Sequence, residues 1–90
     1  MELYQLHDFL CVAKYENISK AAQELHTSQP TISKAIRALE DEIKVKLFDR
    51  NGKRVSLTRG GKILANRLTP LLEELESALK EIQLHEHQNI

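Results

Sequence analysis

Between Thr27 and Arg37 the chain carries hydroxyls, an amide and two cations within a short span: Thr27, Ser28, Gln29, Thr31, Ser33, Lys34 and Arg37. This set suits hydrogen bonding and charge pairing with an acceptor-rich surface. Gln29 can offer a bidentate amide to adenine, and Thr31 can meet a thymine methyl. Lys34 and Arg37 can reach guanine edges or phosphates, while the hydroxyls of Thr27, Ser28 and Ser33 fit phosphate oxygens. A second cationic group, Arg50, Lys53 and Arg54, brackets Asn51-Gly52. It would grip the backbone or minor groove beside the first group. Other chemistries lack their parts. There is no phosphate-binding glycine loop, no HExxH and no arranged nucleophile–base pair, so no enzyme is expected. His85-Glu86-His87 has no further ligand nearby and reads as tail, so neither metal nor cofactor is expected.

The elements that must hold these residues can be read from periodicity. Ile32, Ile36, Leu39 and Ile43 recur at helical steps and share one face. Pro30, Lys34 and Arg37 then project from the opposite face, with Gln29, Thr31, Ser33 and Ala38 flanking them. Thr27 or Ser28 can cap this helix, and Pro30 falls in its first turn, where a missing N–H costs nothing. Leu3, Leu6, Phe9, Leu10 and Ala13 predict an earlier helix over residues 3–15. Ser19 is the expected N-cap of a short second helix through Leu25, whose Ala21, Ala22 and Leu25 form a narrow face of mainly small residues. Two helices joined by a short turn, the second with a polar outer face, make a helix-turn-helix. Val45 to Arg50 and Val55 to Thr58 read as two short strands around an Asn-Gly hairpin, which is a basic, exposed wing.

Thr58 can cap a last helix that opens with Gly60-Gly61 and extends to about Gln88. Leu64, Leu68, Leu71, Leu75, Ala78 and Ile82 form a coiled-coil seam along it, widened by Leu72 and Leu79. At roughly 45 Å the helix is too long for a small domain to cover, so a second chain is expected. The alternative is a helix folded back on its own core. Pro70 should kink or soften the helix, and Thr69-Pro70 could equally restart one. The reading is therefore mainly α: residues 1–58 form a winged helix-turn-helix of three helices plus a small β-hairpin wing. Residues 59–90 form a long dimerisation helix.

Composition agrees with one small globular domain. The chain has 90 residues, 41% of them hydrophobic, and its formal net charge is zero. That neutrality hides segregation: residues 1–42 carry net −3, residues 43–67 net +7 and residues 68–90 net −4. The basic middle is either a solvated run or a directed positive patch. Cys11 is the single cysteine and sits on an apolar helix face, so it is expected in the core. No intrachain disulfide can form. The longest apolar run, Phe9 to Ala13, is far short of a spanning helix, and no signal peptide is apparent. A soluble cytoplasmic protein without membrane contact is expected. Tyr4, Phe9, Tyr15 and Phe48 are expected to pack rather than to stack on bases.

The string from Ser19 to Glu40, SKAAQELHTSQPTISKAIRALE, resembles the DNA-binding region of LysR-type transcriptional regulators. Leu47-Phe48-Asp49-Arg50 and Leu57-Thr58-Arg59-Gly60-Gly61 are similar to that family's next two landmarks, at the expected distances. The resemblance implies sequence-specific binding of double-stranded DNA by a homodimer in transcription regulation. It also implies a larger C-terminal inducer-binding domain in a full-length parent, of which this chain would be the DNA-binding fragment. Carried onto this sequence, the reading residues would be Thr27, Ser28, Gln29, Pro30, Thr31, Ser33, Lys34 and Arg37, with Arg50 and Arg54 in the wing. Three positions depart from the family pattern. Lys44 stands where glycine is usual, at a cost of about 1 kcal/mol if the backbone there is left-handed. Gly60-Gly61 replaces alanine-glycine and is expected to loosen that joint. Lys34 replaces a frequent arginine and cannot make its bidentate fork. A protein-interaction module is the rival reading, and it would suit an apolar or acidic outer strip better than this polar, basic one.

Overall fold

The computed structural model describes residues 1–52 and 54–88. Its elements run α1 (Leu3–Tyr15), α2 (Ile18–Glu24), α3 (Gln29–Ile43), β1 (Phe48–Asn51), β2 (Arg54–Leu57) and α4 (Arg59–Gln88). Helix α1 ends where Glu16 turns left-handed at φ 49°, its N–H bonded to the Val12 carbonyl. The cap of α2 is Asn17, not Ser19: Asn17 is extended, and its Oδ1 accepts the Lys20 N–H at 2.9 Å. A side-chain amide reaches this donor as well as a hydroxyl would, and the helix gains its start at Ile18. Ser28, rather than Thr27, caps α3 by accepting the Thr31 N–H at 3.3 Å.

Helix α3 stops at Lys44, which is left-handed at φ 60° and ψ 37° and donates its N–H to the Glu40 carbonyl. Its Cβ makes that conformation unfavourable, as expected for a position where glycine fits best. Lys44→Gly should therefore stabilise the fold by about 0.5–1 kcal/mol, after allowing for the extra unfolded-state entropy of glycine. Urea denaturation should show a higher midpoint with an unchanged slope.

The strands are shorter than the sequence suggests, and Val45, Lys46 and Leu47 belong to neither. The Leu47 N–H is taken by the Glu40 carboxylate at 2.7 Å and the Leu47 carbonyl by the Thr58 N–H at 3.0 Å, so that residue is committed outside the ladder. The hairpin pairs antiparallel from Phe48 opposite Leu57 to Asn51 opposite Arg54. Asn17 forms a lone antiparallel bridge to Arg54, and the Val55 N–H donates to the Glu16 carbonyl at 3.3 Å. The α1–α2 corner is thereby stitched to the wing.

Phe9, Val12, Ile32, Ile36, Leu39 and Leu47 are the largest fully enclosed side chains. Each contributes about 1.5–3 kcal/mol by leaving water. The rings of Phe9 and Phe48 meet at 5.4 Å between centroids, tilted by 51°. Both are packing residues, as expected. Tyr4, by contrast, is exposed. Cys11 is half-buried against this core, and burial pushes its thiol above the usual range.

Helix α4 begins under Thr58, whose Oγ1 accepts the Gly61 N–H at 3.0 Å and donates to the Lys46 carbonyl at 2.6 Å. The Gly60-Gly61 joint is tight rather than loose: Gly61 is buried, and a Cβ there would overlap the Leu47 carbonyl. The helix continues through Pro70, so Thr69-Pro70 does not restart it. Thr69 Oγ1 donates to the Ala65 carbonyl at 2.7 Å beside the position where proline supplies no N–H. The expected seam divides by place. Leu64, Leu68 and Leu72 pack on the chain's own core, while Leu71, Leu75, Leu79 and Ile82 are exposed. The second half of α4 runs past the body of the domain, which gives the molecule a 53 Å long axis.

Candidate nucleic-acid interface

Helix α3 has two faces of opposite character. Ile32, Ala35, Ile36, Leu39 and Glu40 are buried. Gln29, Pro30, Thr31, Lys34 and Arg37 are exposed, Ser33 is half-buried, and Thr27 and Ser28 are exposed just ahead of the helix. Pro30, Ser33, Lys34, Arg37, Ala38 and Asp41 line one shallow depression along the outer face. The residues read from spacing as one outward strip thus share one surface. A single exposed helix of this kind matches the width of a B-DNA major groove.

The turn that sets the angle of α3 pivots on His26. His26 is left-handed at φ 53°. Its N–H bonds to the Gln23 carbonyl at 3.2 Å, and the Thr27 N–H reaches back to the Ala22 carbonyl at 3.0 Å. Ala21 and Ala22 are buried beside this turn, and their small side chains let the two helices cross closely.

The two described members of the second cationic group, Arg50 and Arg54, have different neighbours. The Arg50 guanidinium reaches back to α3, where Nη1 donates to Ser33 Oγ at 3.4 Å. Arg54 lies at the start of β2, exposed, beside Asn17. Lys53 lies outside the described residues. Among the described residues, none of Lys34, Arg37, Arg50 and Arg54 has a carboxylate within ion-pair distance. Among those residues nothing neutralises their charge.

Glu40 is the functional-site residue that spacing missed. Although a carboxylate, it is 4% exposed. Its Oε2 accepts the N–H groups of Leu47 and Phe48 at 2.7 and 3.3 Å. It locks the end of the reading helix to the start of the wing. A hydrogen bond to an ionised acceptor is worth about 1.5–3 kcal/mol against about 0.5–1.5 for a neutral one. Glu40→Gln should accordingly cost about 1–2 kcal/mol of stability by chemical denaturation. An unchanged midpoint would mean that this clamp contributes nothing.

Residues 3–62 match the family of bacterial regulatory helix-turn-helix proteins, lysR family. The chain belongs to that family. Over 82 residues it is 40% identical to the HTH-type transcriptional regulator CitR of Bacillus subtilis, covering 91% of this chain and 28% of that protein. The fold superposes on the CbnR DNA-binding domain, solved in complex with DNA, with a TM-score of 0.87 and 32% identity over 94% of this chain and 98% of that one. The BenM DNA-binding domain bound to its benA site 1 gives a TM-score of 0.87 and 29% identity, over 92% and 93%. The chain is thus a LysR-type winged helix-turn-helix, and its relatives are regulators of transcription rather than enzymes. It spans under a third of the length of CitR. Among the described residues no helix is long and apolar enough to cross a membrane, and no group of three potential metal ligands occurs.

Two of the LysR-type departures have clear structural consequences. Lys44 takes the left-handed conformation in which glycine would be favoured. Lys34 is exposed on the reading face, where it supplies a point charge instead of a planar fork.

Proposed function

We propose that this LysR-type domain binds double-stranded DNA sequence-specifically as a homodimer, in the cytoplasm, to regulate transcription. Residues 1–58 are the reading unit and residues 59–90 the pairing helix. The observation that carries the reading is the outer face of α3: polar, with cations that have no carboxylate partner among the described residues, and with a buried opposite face. Helix α3 enters the major groove, where Gln29, Thr31, Lys34 and Arg37 meet base edges. Thr27, Ser28, Ser33 and Arg50 hold adjacent phosphates, Pro30 contributes the fixed backbone of the first turn, and the wing with Lys53 and Arg54 takes the flank. The Arg50–Ser33 bond joins the two sets of contacts.

Pairing uses the exposed seam Leu71, Leu75, Leu79 and Ile82, with Leu64, Leu68 and Leu72 seating the helix on each protomer's own core. Charge sets the direction. Arg59, Lys62 and Arg67 lie toward the start of α4, whereas Glu73, Glu74, Glu76, Glu81 and Glu86 lie toward its end. An antiparallel pair puts the basic end of one helix beside the acidic end of the other. In a full-length parent a further domain would bind a small-molecule inducer. No cofactor takes part in the DNA contacts.

Fluorescence-anisotropy titration against duplexes at several salt concentrations tests this reading. Affinity should fall by about 10³-fold or more between 50 and 200 mM salt as phosphate contacts release counterions. Arg54→Ala should weaken every sequence alike and flatten the salt slope by about 1. Gln29→Ala should cost about 1–3 kcal/mol on the preferred duplex only, relaxing choice at one base pair. Equal losses for both variants on every sequence would overturn the division between reading and gripping.

A further inference from the structure

The corner between α1 and α2 holds two cations, Lys14 and Lys20, that neither the reading helix nor the wing explains. Tyr15, at the end of α1, is half-buried. The Lys14 Nζ stands 5.3 Å from its ring centroid and the Lys20 Nζ 5.9 Å from it. Both distances are within the range over which an aromatic ring attracts a cation. Lys20 is fixed in the first turn of α2 because its N–H is held by Asn17. Asn17 in turn bridges to Arg54 on the wing. Three cations from three separate stretches of chain are therefore tied to one corner.

Lys14, Lys20 and Arg54 are all exposed, and among the described residues none has a carboxylate within ion-pair distance. Glu16 is the one acidic residue between positions 14 and 20. The local sequence does not show this patch, because residues 1–42 carry a net negative charge. It exists only where the chain folds back against β2. The ring attracts both cations and so offsets part of the repulsion between them. A pair held in place suits a partner with closely repeated negative charges that is already engaged by the neighbouring wing.

We propose that Lys14 and Lys20, positioned by Tyr15, form a second phosphate-gripping corner that holds the duplex backbone beyond the segment read by α3, on the wing side. This rests on the DNA-binding reading above and extends its footprint. The corner adds affinity and salt dependence without base preference. Tyr15 is a positioning residue: it restrains two long side chains that would otherwise lose rotamer freedom on binding.

The test uses two duplexes with the same preferred site, one trimmed to it and one extended by about a helical turn on each side. On the extended duplex, Lys14→Gln/Lys20→Gln should lower affinity by about tenfold or more, and the slope of log affinity against log salt should shrink by about 2 per protomer, near 0.9 for each lost phosphate contact. On the trimmed duplex the loss should be smaller, and the ranking of site sequences should not change. Lys14→Arg/Lys20→Arg should restore both affinity and slope. Tyr15→Leu keeps both charges and should lose a smaller part of the affinity, and Glu16→Gln should tighten binding. Unfolding curves for each variant separate these effects from loss of fold. Wild-type binding with a double variant of unchanged affinity and slope would overturn the corner alone. No binding by any folded form would overturn both the corner and the reading on which it rests.

Discussion

A chain with glutamate in place of both Leu75 and Leu79 is expected to sediment as a monomer and to bind a two-half-site duplex about 10²–10⁴-fold more weakly than the wild type. The two leucines are 40% and 49% exposed, and Leu71 and Ile82 beside them are 65% and 63% exposed. This apolar stripe on a projecting helix is the surface proposed above for pairing. On the proposed reading, pairing would convert the second half-site contact into an intramolecular event, so its loss would remove the effective-concentration gain without altering any DNA contact. Binding to a single half-site should therefore stay unchanged. Stability of the monomer should also survive, because the core leucines of α4 are Leu68 and Leu72, each 7% exposed, and they are untouched. Sedimentation with titration on whole and half sites separates these outcomes. A variant that still pairs, or a monomer that keeps full affinity for the whole site, would contradict the role given to this seam.

Gly61→Ala is the substitution expected to damage the fold most, by about 3 kcal/mol or more. The added methyl would occupy the space of the Leu47 carbonyl and come within 2.8 Å of Leu57 Cδ2. The carbonyl cannot move freely, since it accepts the Thr58 N–H at 3.0 Å while the Leu47 N–H is held by Glu40. Helix α4 would have to lift from the wing, and Leu64, Leu68 and Leu72 would lift with it. A fall in Tm on the order of 15 °C follows for a domain of this size. The neighbouring Gly60→Ala is the control. Its methyl is crowded by an exposed Val45 side-chain carbon at 2.8 Å, while the Lys46 carbonyl and Thr58 Oγ1 stand at 3.7 and 3.8 Å. Alanine's helix preference of about 1 kcal/mol then offsets the shift of Val45. Equal effects from the two substitutions would mean that Leu47 is not the fixed wall against which α4 starts.

The helices and the reading face were legible because they rest on periodicity. Ile32, Ile36 and Leu39 can share a face only on a helix, and that places Lys34 and Arg37 outward. The caps were legible only as a choice among neighbours. Thr27 and Ser28 both qualified, and at α2 the capping side chain was Asn17, two residues ahead of the expected Ser19. What stayed hidden arises from pairing between distant segments. Glu40 reads as an exposed glutamate at the end of an amphipathic helix, yet two N–H groups from the next segment make it the buried anchor of the wing. Arg50 reads as part of the wing tip but turns back to Ser33. The seam of α4 was continuous in sequence, and only the limited height of the core divides it into covered and uncovered halves.

Selection of bound sites from random duplexes with this 90-residue chain tests the central reading most directly. The expected result is an enriched motif of dyad symmetry, its half-sites about one helical turn apart or a multiple of it, with Gln29→Ala losing choice at one position in each half. Enrichment of no sequence, or of single half-sites without symmetry, would contradict a paired reading helix.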